Sequence, residues 1–174
     1  KVKIENLGVT INTKGPEYTP LITADESQLF FTSRRFGNTG NETDYEDLDY
    51  FEDIYMSEKV NERWMQAKNL GPTINTPLHD AGAGLSLDGH ILFVFKGNRN
   101  NGDILMSYKN KGEWSIHVDP GKNINTKYHE SSACLSPDGN TLYFSSDRPG
   151  GYGGRDIFRS EWDPVKKIWG PGIN

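Results

Sequence analysis

The 174-residue chain holds one cysteine, Cys134. A single thiol cannot close an internal disulfide. Set in an apolar run, Cys134 reads as a small hydrophobe. No window of 18 apolar residues exists, which excludes a membrane-spanning helix. Positive charge is scarce: 19 Lys and Arg stand against 24 Asp and Glu, for a net charge of −5. Without a basic footprint, nucleic acid is not an expected partner. Catalytic signatures are also missing. Gly84-Leu85-Ser86-Leu87-Asp88 lacks the closing Gly of a nucleophile elbow. His129-Glu130 is not followed by the second His of a zinc-protease helix, and the Gly150 to Gly154 loop lacks the Lys-Ser/Thr of a phosphate loop. Cys134 has no neighbouring basic motif to lower its pKa. No signal peptide is visible, and the chain opens on Lys1 rather than Met, which reads as a processed chain or a fragment.

Aromatic residues and turn formers are abundant: four Trp, eight Tyr, eight Phe, 19 Gly and 9 Pro. Many short strands joined by tight turns give that composition. The clearest unit is Ser136-Pro137-Asp138-Gly139 followed by Asn140-Thr141-Leu142-Tyr143-Phe144-Ser145-Ser146. Pro presets φ for the turn, Asp supplies an acceptor, and Gly supplies positive φ. The apolar run after it is a buried strand. Ser86-Leu87-Asp88-Gly89 and Thr23-Ala24-Asp25-Glu26 open the same phrase earlier. A repeat of about 50 residues signals an array of equivalent supersecondary units.

The repeats align beyond the turn. A leader, Gly8-Val9-Thr10-Ile11-Asn12-Thr13, recurs at Gly71 to Thr76 and at Gly121 to Thr126. A first strand carries Ile22, Leu85 or Leu135. The second strand carries Leu29/Leu92/Leu142, Phe30/Phe93/Tyr143 and Phe31/Val94/Phe144. These runs are continuously apolar, so both faces should be covered. A third strand opens at Asp53, Asp103 or Asp156, and a fourth holds Trp64, Trp114 or Trp169. The predicted fold is all-β: a β-propeller segment over residues 1–174 with three four-stranded blades at 14–68, 77–118 and 127–170. Residues 171–174 are read as the start of a further repeat, within a larger ring of six to eight blades. The other arrangement is a half-ring that pairs with a second copy. Tyr45 to Tyr55 also has helical spacing; the repeat register assigns a strand from Asp53, preceded by a helical turn.

Asp25, Asp88, Asp138, Gly89 and Gly139 are expected to build turns. Asp53, Asp103 and Asp156 are expected to accept loop amides or to pair with Arg35 or Arg148. Glu17, Asp80 and Glu130 share one repeat position, with His79 and His129 preceding two of them. If the first strands line a channel, these residues form an arc at its mouth that suits a cation or a basic segment of a partner. The competing reading is that the carboxylates bond turn amides and fix blade geometry. The long loop of repeat one, Phe36 to Glu52, is an acidic insertion. Asp44, Tyr45, Glu46, Asp47, Asp49, Tyr50 and Phe51 form a candidate docking surface with aromatic anchors; a solvated acidic loop is the alternative. The calcium-loop pattern fails there, because Asp49 stands at the Gly position and Tyr55 at the closing Glu position. No cofactor is expected, with Ca²⁺ the one ion to test.

The Ser136-Pro137-Asp138-Gly139 turn, the strand end Phe144-Ser145-Ser146-Asp147-Arg148 and Asp156-Ile157-Phe158 resemble the WD-repeat-like propeller modules of the TolB type. The Gly-x-x-Ile-Asn-Thr leader and the Arg148 to Gly154 loop resemble a narrower group. These are multidomain envelope proteins of Bacteroidota, which join tetratricopeptide repeats and an OmpA-like domain to this propeller and include a component of type IX secretion. Repeat one departs at Ala24-Asp25-Glu26, and repeat two at Phe95-Lys96-Gly97. The resemblance implies a non-enzymatic protein-interaction scaffold in the periplasm, associated with the outer membrane. Peptidoglycan would be reached only through domains outside this chain. The alternatives are a gating or regulatory propeller of a hydrolase and a Ca²⁺- or small-ligand-binding propeller.

Overall fold

The computed structural model describes residues 2–98 and 101–174, and among these every regular element is a strand. Blade 1 consists of β1 (Glu17–Ile22), β2 (Gln28–Ser33), β3 (Asp53–Val60) and β4 (Arg63–Trp64), with β5 (Lys68–Asn69) also paired to β3. Blade 2 consists of β6 (Asp80–Leu85), β7 (Ile91–Asn98), β8 (Asn101–Asn110) and β9 (Glu113–Trp114). Blade 3 consists of β10 (Glu130–Leu135), β11 (Thr141–Ser146), β12 (Asp156–Asp163) and β13 (Ile168–Trp169). Each blade is an antiparallel meander whose spatial order follows the chain.

The turns between first and second strands form as their residues dictate. The Gly89 N–H bonds the Ser86 carbonyl, and the Gly139 N–H bonds that of Ser136, both at 2.9 Å. Gly89 and Gly139 sit at φ +70° and +72°. Asp88 and Asp138 accept the N–H groups of His90 and Asn140 at 3.0 and 3.1 Å. In blade 1 Asp25 accepts the Ser27 N–H at 3.0 Å, and Glu26 takes the glycine's place at φ +56°. Every first strand slips register once, between Tyr18 and Leu21, Gly82 and Gly84, or Glu130 and Ala133. These bulges bend the innermost strands.

The first strands lie side by side, β1 against β6 and β6 against β10, so they line the inner edge of the blade stack. Apolar side chains fill the two junctions. Leu21 and Ile54 of blade 1 pack with Ile74, Leu85, Leu92, Val94 and Trp114. The Phe30 ring meets Trp114 edge-on at 5.9 Å. Phe93, Ile104 and Met106 of blade 2 pack with Ile124, Leu142, Phe144 and Phe158. The second junction is close: a Cβ on Gly84 would lie 1.9 Å from the Ala133 carbonyl oxygen. Only glycine fits there.

Two features differ from the sequence reading. The second strands were predicted to be covered on both faces. Phe30, Phe31, Phe93 and Val94 are buried, but β11 alternates and turns Tyr143 outward, because no described sheet lies against that face. The segment read as the opening of a fourth repeat instead completes blade 3. Ile173 exchanges both backbone bonds with Arg159 at 2.8 Å, as Val118 does with Met106. Lys68 holds the same register against Met56. Spacing explains the difference: Ile173 follows Trp169 by four residues, whereas Ile74 and Ile124 follow Trp64 and Trp114 by ten.

Candidate functional site

The repeated carboxylates lie inside the blades, each held by the leader that precedes it. Glu130 accepts the Thr126 N–H at 3.0 Å and hydroxyl at 2.9 Å, the Ser146 hydroxyl at 2.7 Å and Arg148 Nη2 at 3.0 Å. Glu17 repeats the set with Thr13, Ser33 at 3.2 Å and Arg35 Nη2 at 3.0 Å. Asp80 takes the N–H and hydroxyl of Thr76, the latter at 2.7 Å. The Lys96 ammonium lies 2.9 Å from its other oxygen as an ion pair. Arg35 and Arg148 also reach back to the leaders, donating to the Ile11 carbonyl at 2.8 Å and the Asn123 carbonyl at 2.9 Å. Their guanidinium planes cover Phe31 and Tyr55 in one blade, and Phe144 and Phe158 in the other. Asp80 and Glu130 have no exposed side-chain surface. These carboxylates fasten leader to blade, the second of the two readings weighed above.

Two of the third-strand aspartates, Asp53 and Asp156, accept loop amides. Asp53 takes the Thr39 N–H at 2.5 Å, and Asp156 takes the Gly153 N–H at 2.9 Å. Burial pushes the Asp53 carboxyl above the usual carboxylate range, against the hydrogen bonds it receives.

The histidines and the acidic insertion come together elsewhere, around an open groove of about 900 Å³ at the mouth of the blade stack. The insertion is a braced hairpin rather than a loose loop. Thr43 bridges Tyr50, and the Leu48 N–H closes a single turn on the Asp44 carbonyl at 2.8 Å. That turn is the helical one expected, and β3 begins at Asp53 as the repeat register requires. Arg34 grips Asp47 with two parallel bonds of 2.7 and 2.8 Å and donates through Nε to the Tyr50 carbonyl at 2.6 Å. The paired guanidinium holds the Asp47 carboxyl down at about 2.

His79 joins this hairpin to blade 2. Its Nε2 lies 3.0 Å from Asp44, and its Nδ1 lies 3.1 Å from the Glu52 carboxylate and 3.4 Å from the Glu52 N–H. The neutral ring donates through Nε2 and accepts at Nδ1; the protonated ring donates to both carboxylates. The Tyr18 hydroxyl donates to Glu52, and burial together with that carboxylate raises the phenol above its ordinary value. Phe51 packs edge-on against His79 at 4.8 Å. Across the groove His129 is buried against Phe95 at 5.2 Å, and among the described residues its Nδ1 has no hydrogen-bond partner. Burial, then the nearby charge of Arg155, lowers its pKa below the usual imidazole value.

The predicted residues thus divide. Asp44, Tyr45, Glu46, Asp47, Phe51, His79 and His129 line the groove, while Glu17, Asp80 and Glu130 do not. Tyr50 turns back onto Phe36, and Asp49 stands at the hairpin end beside Arg34. Of the three expected aromatic anchors only Tyr45 is exposed. Arg34 and Arg155 of the lining are not among the residues singled out from the sequence, and Glu52 enters there only as the last carboxylate of the acidic insertion. The doubled arginine in Ser33-Arg34-Arg35 was the available signal, since the repeat needs only the second. Among the described residues no group of three His, Cys, Asp or Glu has metal-holding geometry.

No described protein family and no curated protein matches the chain. Among solved structures, TolB from Acinetobacter baumannii superposes with a TM-score of 0.55 at 16% identity, covering 93% of this chain and 33% of its own. A puromycin hydrolase S511A mutant complexed with PGG covers 89% of this chain and 29% of its own, with a TM-score of 0.37 at 11% identity. This chain therefore spans about one third of the length of the TolB chain. Three meander blades stacked on their first strands, and the likeness to TolB, make the fold that of a β-propeller segment.

Proposed function

We propose that this chain is part of a non-enzymatic, protein-binding β-propeller of the bacterial periplasm, and that its partner docks over the mouth groove. The observation that carries this reading is the state of the acidic insertion. Arg34 and His79 hold it rigid, and Tyr45 is left standing 85% exposed at the groove's rim. A braced loop presenting an aromatic anchor binds with little ordering cost. The periplasmic placement rests on the resemblance of the turn, strand-end and Asp-Ile motifs to TolB-type modules. Outer-membrane or peptidoglycan attachment belongs in this reading to other parts of the parent protein.

The test is site-specific photo-crosslinking in the native periplasm. A crosslinker replaces Tyr45 in one variant and Val165, on the far hairpin of blade 3, in another. Adducts of one discrete mass from position 45 alone are expected. Equal labelling from both positions, or none from either, overturns the reading, as does substrate turnover by the purified chain.

A further inference from the structure

Both blade junctions in this chain are closed by the same device. The Asn75 amide clamps the start of β3: its Oδ1 accepts the Ile54 N–H and its Nδ2 donates to the Ile54 carbonyl, both at 2.9 Å. Asn125 clamps Ile104 on β8 in the same way, at 3.0 and 2.9 Å. Each leader therefore grips the third strand of the blade before it. Around each clamp the apolar faces are sealed, and Phe30, Ile54, Phe93 and Ile104 are all 0% exposed.

Blade 3 presents the same socket unfilled. Ile157 holds on β12 the place of Ile54 and Ile104, and Tyr143 that of Phe30 and Phe93. Here the two side chains are 64% and 43% exposed. The Ile157 carbonyl accepts a long 3.3 Å bond from Asn174, and among the described residues its N–H has no counterpart of the Asn75 or Asn125 oxygen. Asn174 does not block the site, because the Ile54 carbonyl already accepts two donors, the Leu70 N–H at 3.1 Å and Asn75.

Blade 1 carries the matching key. The Asn12 N–H bonds the Gly8 carbonyl at 2.9 Å, as Asn75 bonds Gly71 at 2.8 Å. Asn12 Nδ2 donates to Asn6 at 3.0 Å, as Asn75 does to Asn69 at 2.8 Å. The clamp is thus preformed, yet among the described residues nothing bonds the Asn12 Oδ1. Beside it Ile11, Leu29, Phe31 and Trp64 occupy the places of Ile74, Leu92, Val94 and Trp114, the residues that cover blade 1 in the existing junction.

We propose that a second copy of this chain docks head to tail, its Asn12 clamping Ile157 and its blade 1 covering Tyr143. The interface joins two different surfaces, so it must close a ring to stop growing. Two copies give six blades, within the range of closed propellers.

The experiment is light scattering after size exclusion on the 174-residue chain over a concentration series, with Asn12→Ala, Ile157→Arg and wild type compared. The wild type is expected at twice the 19.6 kDa chain mass. Each variant is expected to weaken association at least tenfold with the circular dichroism spectrum unchanged, because both side chains lie outside the blade cores, and to lose the concentration dependence of melting that the wild-type dimer shows. Mixing the two variants restores one intact junction and part of the dimer. If Ile157→Arg misfolds, Asn12→Ala alone carries the comparison. A wild type that stays monomeric overturns the proposal and assigns the face to a further repeat of a longer polypeptide. A dimer indifferent to both substitutions overturns it as well.

Discussion

Arg148 and Glu130 meet at 3.0 Å where only 11% and 0% of their side-chain surfaces remain exposed. The pair is wired into a threonine, a serine, the leader carbonyls of Asn123 and Ile124 and two aromatic rings, so neither charge is left to bare desolvation. Removing one partner strands the other. Arg148→Ala is expected to destabilise the chain by about 3–5 kcal/mol. Arg35→Ala should cost less, because Glu17 keeps 14% of its side-chain surface. Urea midpoints for the two variants measure the difference; equal midpoints would contradict the burial argument.

Glu26 occupies a left-handed position that glycine fills in the other two blades. A Cβ there costs on the order of 1 kcal/mol. Glu26→Gly removes that strain and frees the unfolded chain slightly. A net gain of about 0.5–1 kcal/mol is expected. Loss of the exposed 3.8 Å contact to Lys59 should not register. Thermal melting of the single variant is sufficient to see it.

Asp47 has a folded pKa of about 2, depressed by Arg34 from an ordinary 3.8. A depressed acid favours the folded arrangement above its unfolded pKa, and the contribution disappears as pH falls through the folded value. Hydrogen-exchange protection factors of the insertion amides, taken relative to the intrinsic rate at each pH, should hold down to about pH 4 and fall as pH approaches about 2. Asp47→Asn should remove that acid step and give fast exchange at neutral pH as well.

Asp44 already answers to His79 and Asp47 to Arg34, and the calcium-loop residues are missing. Millimolar Ca²⁺ against chelator is expected to leave the melting temperature unchanged. A rise with metal concentration would show a ligand that prefers the folded state and would reinstate the ion-binding alternative.

Much of this fold was legible because the repeat carries its own punctuation. Asp138-Gly139 and Asp88-Gly89 announce turns by local backbone chemistry, and apolar runs such as Leu142 to Phe144 announce strands. The clamp was visible as Ile-Asn, but its target was not: Asn75 acts on Ile54, 21 residues earlier, across a blade boundary. The same two letters at Ile173-Asn174 misled, because identity of sequence outweighed the distance from the preceding Trp. The groove was legible only in parts. His79 was singled out for its repeat position, yet its partners Asp44 and Glu52 come from the insertion, which has no counterpart in the other repeats. Glu17, Asp80 and Glu130 share a repeat position that symmetry sets, but symmetry does not say which way a carboxylate turns.

The leader clamp fastens each unit to the one before it, so the fastener and the socket it needs lie in different repeats. One stretch from leader to fourth strand therefore carries a complete blade and the means of attaching it to any blade that ends the same way. Copying that stretch lengthens the array without new interface chemistry, and deleting it rejoins the neighbours with the same amide grip. Stability then accrues at the junctions as much as in the units, and the same amide grip serves at both described boundaries where a leader meets the third strand before it.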